Sequence, residues 1–335
     1  DLVIAKPPPE SERGGEDREA DGIGLEVESA PPPPPRSDGS FVWRLGGVIK
    51  TIRPHQWVKN VFVLAPVVFA KVIFDPLLLS RAGLAFFVFC LLAGAVYTIN
   101  DLADVEADRL HPVKRYRPIP SGRVPLPAAR MLAVVLVLAS LGVAATSTVT
   151  FLAAAAGYFA LNIAYSHKLK HIPYIDVSCI AAGFVLRVVG GGFATRIEVS
   201  SYLLVCTALL ALFLGFGKRR HEIAAGEKAA RQRAALEGYT AQGLDLALAV
   251  TGIATIVTYV AYTLDPHTQQ FFKTQWLWPS AGLVVLGVWR FLHLVRSRPR
   301  AESPTQEMLR DGPFVAIVLG WAILVMWVVY NLRPS

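Results

Sequence analysis

Long apolar runs alternate with short polar links along this chain, and many of the runs approach the twenty residues an α-helix needs to cross a bilayer. Nine runs stand out, at about 60–79, 82–100, 127–146, 149–165, 176–194, 201–217, 245–263, 279–296 and 314–332. The sixth is short for a span, and a brief polar link joins the fourth to the fifth. Ahead of them, Val42, Leu45, Val48, Ile49 and Ile52 recur at the spacing of one helical face, with Arg44, Lys50 and Arg53 off it. That pattern predicts an interfacial helix lying on the membrane. The fold class predicted is therefore all-α and integral to the membrane: a bundle of about nine transmembrane helices with an N-terminal interfacial helix.

Composition supports this reading over two soluble domains: 53% of the residues are apolar and only 17% charged. Charge placement orients the bundle. The links 101–123, 166–175, 218–243 and 297–313 hold five, two, six and three Lys and Arg, whereas the alternate links hold only Lys71, Arg81, Arg196 and Lys273. The positive-inside rule puts the basic links and the N-terminus in the cytoplasm and, with nine spans, Asn331 to Ser335 outside. A multi-pass plasma (inner) membrane protein with a cytoplasmic active site is expected. Residues 1–40 differ from the rest, with ten acids against four bases and the run Pro31–Pro35. They predict a disordered cytoplasmic tail, leaving 41–335 as the membrane domain. The whole chain is +8, so the part beyond this acidic tail is more basic still. Such charge suits membrane lipids and phosphorylated substrates rather than nucleic acid. Cys90, Cys179 and Cys206 all sit inside apolar runs and read as packing residues.

The chemistry concentrates in one link, Asn100 to Gly122, NDLADVEADRLHPVKRYRPIPSG. On a helix, Asp101, Asp104 and Asp108 fall within roughly 60° of arc. Three carboxylates on one face repel one another unless a cation sits among them, and hard oxygen ligands suit Mg²⁺. Lys114, Arg115 and Arg117 follow at once. The bland reading is a solvated loop whose charges cancel, but phased acids followed by a block of bases do not look random. Elsewhere, Lys59 is either a headgroup anchor or a phosphate contact. Tyr158, Asn162 and Tyr165 share a helical face, and His167, Lys168, Lys170 and His171 follow; their spacing is no zinc motif. Asp176, Gly183, Arg187 and Gly190 form another stripe, with Arg187 about 16 Å along the axis from Asp176. An intramembrane Arg normally faces a partner or a wet cavity, whereas Gly190–Gly192 read as close packing. The sixth run ends in Lys218, Arg219, Arg220, His221 and Glu222, which reads either as surface ion pairs or as a phosphate clamp. Together these residues make a site for Mg²⁺ and a pyrophosphate. No activated nucleophile or Walker loop accompanies them, so the reaction class is substitution at a carbon bearing diphosphate.

Asn100-Asp101-x-x-Asp104-x-x-x-Asp108, followed by Arg117-Pro-Ile-Pro-Ser-Gly122, resembles the first aspartate-rich motif of the UbiA prenyltransferase superfamily, which forms bundles of about nine membrane helices. Usual members carry a second aspartate-rich motif after the sixth span, where this chain has KRRHE. RPHQWVKN at 53–60, YSHKLKHIP at 165–173 and GFGKRRHE at 215–222 are similar to one branch, the decaprenyl-phosphate phosphoribosyltransferases of arabinan synthesis for the cell wall polymers arabinogalactan and lipoarabinomannan. The resemblance implies phosphoribosyl pyrophosphate (PRPP) as donor and decaprenyl phosphate as acceptor, with Mg²⁺ as cofactor. It implies Asp101, Asp104 and Asp108 as metal and diphosphate ligands, with Asn100 orienting them. Lys114, Arg115, Arg117, Lys168 and Lys170 would surround phosphates. Lys218, Arg219, Arg220 and Glu222 would close the opposite wall, and Arg187, Tyr165, Lys59 and Asp176 would complete substrate binding. A prenyltransferase acting on an aromatic acceptor and a membrane transporter are the rival readings, and a homo-oligomer is compatible with the sequence.

Overall fold

The computed structural model describes residues 40–224, 238–297, 308 and 310–331. The expected tail and much of the link 218–243 lie outside these residues. Every regular element among those described is helical. Helix α1 (Phe41–Ile52) begins at Ser40, whose hydroxyl accepts from the Trp43 N–H as an N-cap. It leaves Phe41, Val42, Leu45 and Ile49 exposed along one side, as an interfacial helix should. A 3₁₀ stretch, Pro54–Leu64, leads into the short α2 (Ala65–Phe69). Helix α3 (Pro76–Ala103) follows, capped by Asp75 and opened by Pro76. The remaining helices are α4 (Val105–Leu110), α5 (Leu126–Ala145), α6 (Val149–His167), α7 (Ile175–Thr195), α8 (Ser201–Ala224), α9 (Ala241–Leu264), α10 (Pro266–Phe272), α11 (Ser280–Ser297) and α12 (Gly312–Asn331).

Seven of these, α3, α5, α6, α7, α8, α9 and α12, are long and apolar enough to cross a membrane. Helix α11 is an eighth long helix, of 18 residues, but Arg290, His293 and Arg296 dilute its apolar character. The expected first span, 60–79, is not a continuous helix. Its apolar residues divide among the 3₁₀ stretch, α2 and the start of α3, because Pro66 and Pro76 each suit a helix start and interrupt a helix interior. The sixth span proves longer than its apolar run. Helix α8 continues 24 residues to Ala224, so KRRHE lies on the helix and not in a loop.

Two of the buried hydrophobic clusters meet at α7. Val63, Phe89, Leu92, Phe151, Ala155 and Tyr158 pack the 3₁₀ stretch, α3 and α6 together beside α7. Val177, Phe213, Phe216, Leu244, Leu248 and Phe291 join α7, α8, α9 and α11. Helix α7 is thus the shared wall, and its glycines let neighbours approach closely. A Cβ on Gly191 would lie 2.0 Å from the Val63 carbonyl oxygen, so only glycine lets the 3₁₀ stretch cross α7 there. This is the close packing expected of the glycine run.

Candidate functional site

The aspartate-rich link is built differently from one continuous helix. Helix α3 stops at Ala103, Asp104 caps it, and α4 starts afresh at Val105. Asp101 and Asp108 are both buried while Asp104 is exposed, so the expected single face of three carboxylates becomes a converging pair with Asp104 to one side. Among the described residues no group of three His, Cys, Asp or Glu side chains is close enough to hold a metal ion. The pair is bridged instead by Arg117, whose Nη1 lies 3.2 Å from Asp101 Oδ1 and 2.7 Å from Asp108 Oδ2. Arg53 Nη2 adds a 2.6 Å contact to Asp101, with its guanidinium over the Tyr97 ring. Lys114 Nζ stands 3.9 Å from Asp108. A cation already sits between two hard oxygen donors, and the donor chemistry fits Mg²⁺. Asn100 lies one residue before Asp101 at the end of α3, and its carbonyl accepts from the Asp104 N–H.

The RPIPSG segment places Arg117. Ile119 is buried with Val105, Val124 and Ala129, which anchors the turn beneath α4. Gly122 has φ +78°, the left-handed region glycine tolerates. Just beyond, Arg123 donates to the Trp43 carbonyl and stacks on its ring, tying α1 to the same corner. Arg115 points elsewhere, onto half-buried Tyr116.

A second group of cations gathers around Lys59 on the 3₁₀ stretch. Lys218 of α8, Arg187 of α7 and Arg53 all act on Lys59 electrostatically. Burial, then the charge of Lys218, Arg187 and Arg53, lowers the Lys59 ammonium to about 8. Yet Lys59 keeps access to solvent, the position of a side chain in a recess open to water. Like charges held together in this way favour an anion between them. Lys168 is exposed and Lys170 half-buried in the turn after α6.

Several residues expected to meet substrate are tied up in the fold. Arg187 is buried; it donates to Asn60 Oδ1 at 2.7 Å, to the Gly183 carbonyl at 2.9 Å and to the Tyr158 hydroxyl at 2.7 Å. It braces the 3₁₀ stretch, α6 and α7, and so fixes Lys59 on the neighbouring residue. Arg219, with its side chain 3% exposed, donates to Asp176 Oδ2 at 2.7 Å and pairs with Glu222 one turn on. Arg220 makes a two-pronged contact with Asp245 of α9. Of the basic residues in KRRHE, Lys218 is therefore the one aligned with the Lys59 recess, while Arg219 and Arg220 join α8 to α7 and α9. Tyr165 of α6 reaches the same neighbourhood and acts electrostatically on Arg219.

Tyr239 is the member that sequence reasoning missed. Its hydroxyl donates to Asp176 and accepts from the Tyr174 N–H, and its ring packs at a tilt 4.7 Å from that of Tyr174. Burial first, then the bond to Asp176, raises the phenol, which keeps its proton. Tyr174 itself has φ +65°. Only a lone aromatic after the polar link marked Tyr239 in the sequence. Asn60 and Arg53, by contrast, both lie in the RPHQWVKN segment.

Comparison with known proteins agrees with this geometry. The profile of the UbiA prenyltransferase family matches residues 61–226. A decaprenyl-phosphate phosphoribosyltransferase of Corynebacterium glutamicum is 35% identical over 289 residues, covering 85% of this chain and 87% of that one. One from Mycobacterium tuberculosis is 35% identical over 286 residues, covering 84% and 93%. A UbiA homologue from Archaeoglobus fulgidus, solved with DMAPP and Mg²⁺, superposes with a TM-score of 0.62 at 20% identity, over 85% of this chain and 99% of that one.

Proposed function

Because the chain belongs to the UbiA prenyltransferase family, we propose that it transfers the 5-phosphoribosyl group of PRPP to decaprenyl phosphate, releasing pyrophosphate and giving decaprenylphosphoryl-5-phosphoribose. The observation that carries the reading is the 35% identity, over most of both chains, to a relative bearing that activity in its name. The site agrees with it. A prenyltransferase would be expected to carry a second cluster of carboxylates facing the first. Here Glu222 is paired with Arg219 and Asp245 with Arg220, which leaves, among the described residues, one buried carboxylate pair and a separate cation group.

The two groups divide the work. Asp101 and Asp108, with Asp104 at the rim, would hold Mg²⁺ and through it the donor diphosphate, with Asn100 orienting the cluster. The ion's part is to offset the charge of the departing pyrophosphate. Lys114 and Arg117, both at the aspartate pair, would take the donor's diphosphate; Arg115 would join them by turning from Tyr116, and Lys168 and Lys170 would take the 5-phosphate. Lys59 and Lys218 hold the acceptor's phosphate, with Tyr165 beside it. One acceptor phosphate oxygen attacks C1 of the ribose as the C1–O bond to pyrophosphate breaks, through an oxocarbenium-like state. Proton removal is not needed when the attacking phosphate is already ionised. Arg187, Asp176, Arg219 and Arg220 act as positioning residues, holding the lysine-bearing elements at a fixed separation.

The basic links support a plasma-membrane protein with this end of the bundle facing the cytoplasm, the segment 60–79 as a broken span and the C-terminus outside. The ordinary prenyltransferase reading rests on the family's name and on the DMAPP-bound neighbour. To separate the two, purified protein is given labelled PRPP with a polyprenyl phosphate, or a labelled prenyl diphosphate with an aromatic acceptor. Label entering lipid from PRPP alone supports phosphoribosyl transfer. Label moving only from the prenyl diphosphate to the aromatic acceptor contradicts it.

A further inference from the structure

Two carboxylates, Asp101 and Asp108, face three cations, Arg53, Arg117 and Lys114. Around the buried pair itself the cations outnumber the carboxylates before any metal enters, with Asp104 outside at the rim. A bare divalent ion would have to join that excess and displace guanidinium groups from both aspartates. A divalent ion bound to a diphosphate brings its own negative charge, and it gives the displaced guanidinium groups somewhere to go.

We infer that Arg117 and Arg53 are placeholder cations: they occupy the metal's position between the aspartates in the donor-free protein and turn onto the diphosphate when the metal arrives with it. The inference rests on the metal-and-diphosphate reading of this site. Geometry makes the exchange feasible. The Arg117 backbone is fixed by the Ile119 anchor, but its side chain is 34% exposed. Arg53 is 26% exposed and can stay over the Tyr97 ring when it leaves Asp101. Both aspartate side chains are 4% exposed, so they need a cation at all times. The arginines hold the two carboxyl groups in place until the metal complex enters. Metal and donor then bind together, and metal alone binds weakly. On this view neither arginine is a permanent salt-bridge partner, and each is a positioning residue that becomes a diphosphate ligand.

The test follows Mn²⁺ by electron paramagnetic resonance as it binds detergent-purified full-length protein, with and without inorganic pyrophosphate. Wild-type protein should bind Mn²⁺ at least tenfold more tightly with pyrophosphate. Arg117→Gln should tighten pyrophosphate-free Mn²⁺ binding at least tenfold and weaken the gain from pyrophosphate. Arg53→Gln should do the same to a smaller extent and serves if Arg117→Gln does not fold. Wild-type protein that binds Mn²⁺ equally well in both conditions overturns the inference. So do folded variants whose pyrophosphate-free affinity is no greater than wild type, and that result leaves the proposed function standing. Protein that takes up no Mn²⁺ even with pyrophosphate overturns both this inference and the metal role in the proposed function.

Discussion

Replacing Arg219 with methionine separates a structural ion-pair network from a phosphate clamp. Arg219 sits within KRRHE, where a row of bases at a helix end suggests phosphate binding. Its side chain is 3% exposed and lies between Asp176, at 1%, and Glu222, at 20%. Methionine fills much of the same space but strands Asp176, which keeps only the Tyr239 hydroxyl. Breaking one side of a buried pair costs about 3–5 kcal/mol, because the remaining charge stays buried without its partner. Little solvent screening applies at this depth. For a domain of this size that corresponds to a fall in melting temperature of roughly 5–20 °C. Thermal unfolding in detergent, followed by tryptophan fluorescence, measures it. Adding Asp176→Asn to Arg219→Met removes the stranded charge and should recover much of the loss. Specific activity per folded molecule should change less than the melting temperature does, and Lys218→Met should show the opposite: an unchanged melting temperature and a raised KM. If Arg219→Met melts like wild type while KM for PRPP rises steeply, Arg219 is a substrate ligand and the reasoning fails.

Other outcomes follow from the same geometry. Asp101→Asn and Asp108→Asn should each lower Mg²⁺-dependent turnover at least a hundredfold. Asp104→Asn should chiefly raise the Mg²⁺ needed for half-maximal turnover; a metal titration of each variant checks this. Lys59 is lowered to about 8, so it is charged at neutral pH and loses its proton as pH rises through that value. KM for the acceptor should therefore climb between pH 7 and 9, and Lys59→Arg should flatten that climb; unchanged pH dependence in Lys59→Arg would count against the phosphate role. The lowering also means that the folded protein releases this proton before the unfolded chain does. The stability penalty is thus present below about pH 8 and is relieved as pH rises further. Gly191→Ala should prevent stable folding, since its Cβ would meet the Val63 carbonyl at 2.0 Å, and yield of monodisperse protein in detergent reads it.

The membrane class and most of the helices were legible in the chain because apolar run length is a direct consequence of bilayer thickness. The break at 60–79 was harder to see, since the apolar run continues across Pro66 and Pro76 and only the backbone registers them. The aspartate phasing assumed one continuous helix. The structure ends that helix at Asp104, so two acids converge and the third stays at the rim. Arg187 was recognisable as a costly intramembrane charge, but beyond Gly183 on its own helix its partners Asn60 and Tyr158 come from two other elements that no local pattern connects. KRRHE misled for a similar reason. Its neutralising carboxylates, Asp176 and Asp245, are 43 and 25 residues from the arginines they hold. Spacing along one helix shows which bases cluster, but not which of them are already paired.

The central claim concerns which bonds form and break, and product analysis by mass spectrometry tests it most directly. Purified protein, Mg²⁺, PRPP and decaprenyl phosphate are incubated, and the lipid and aqueous products are quantified together. The account predicts decaprenylphosphoryl-5-phosphoribose and pyrophosphate in equal amounts, with both lost in Asp108→Asn. Free decaprenol-derived diphosphates, or pyrophosphate released without a ribose-bearing lipid, would contradict it.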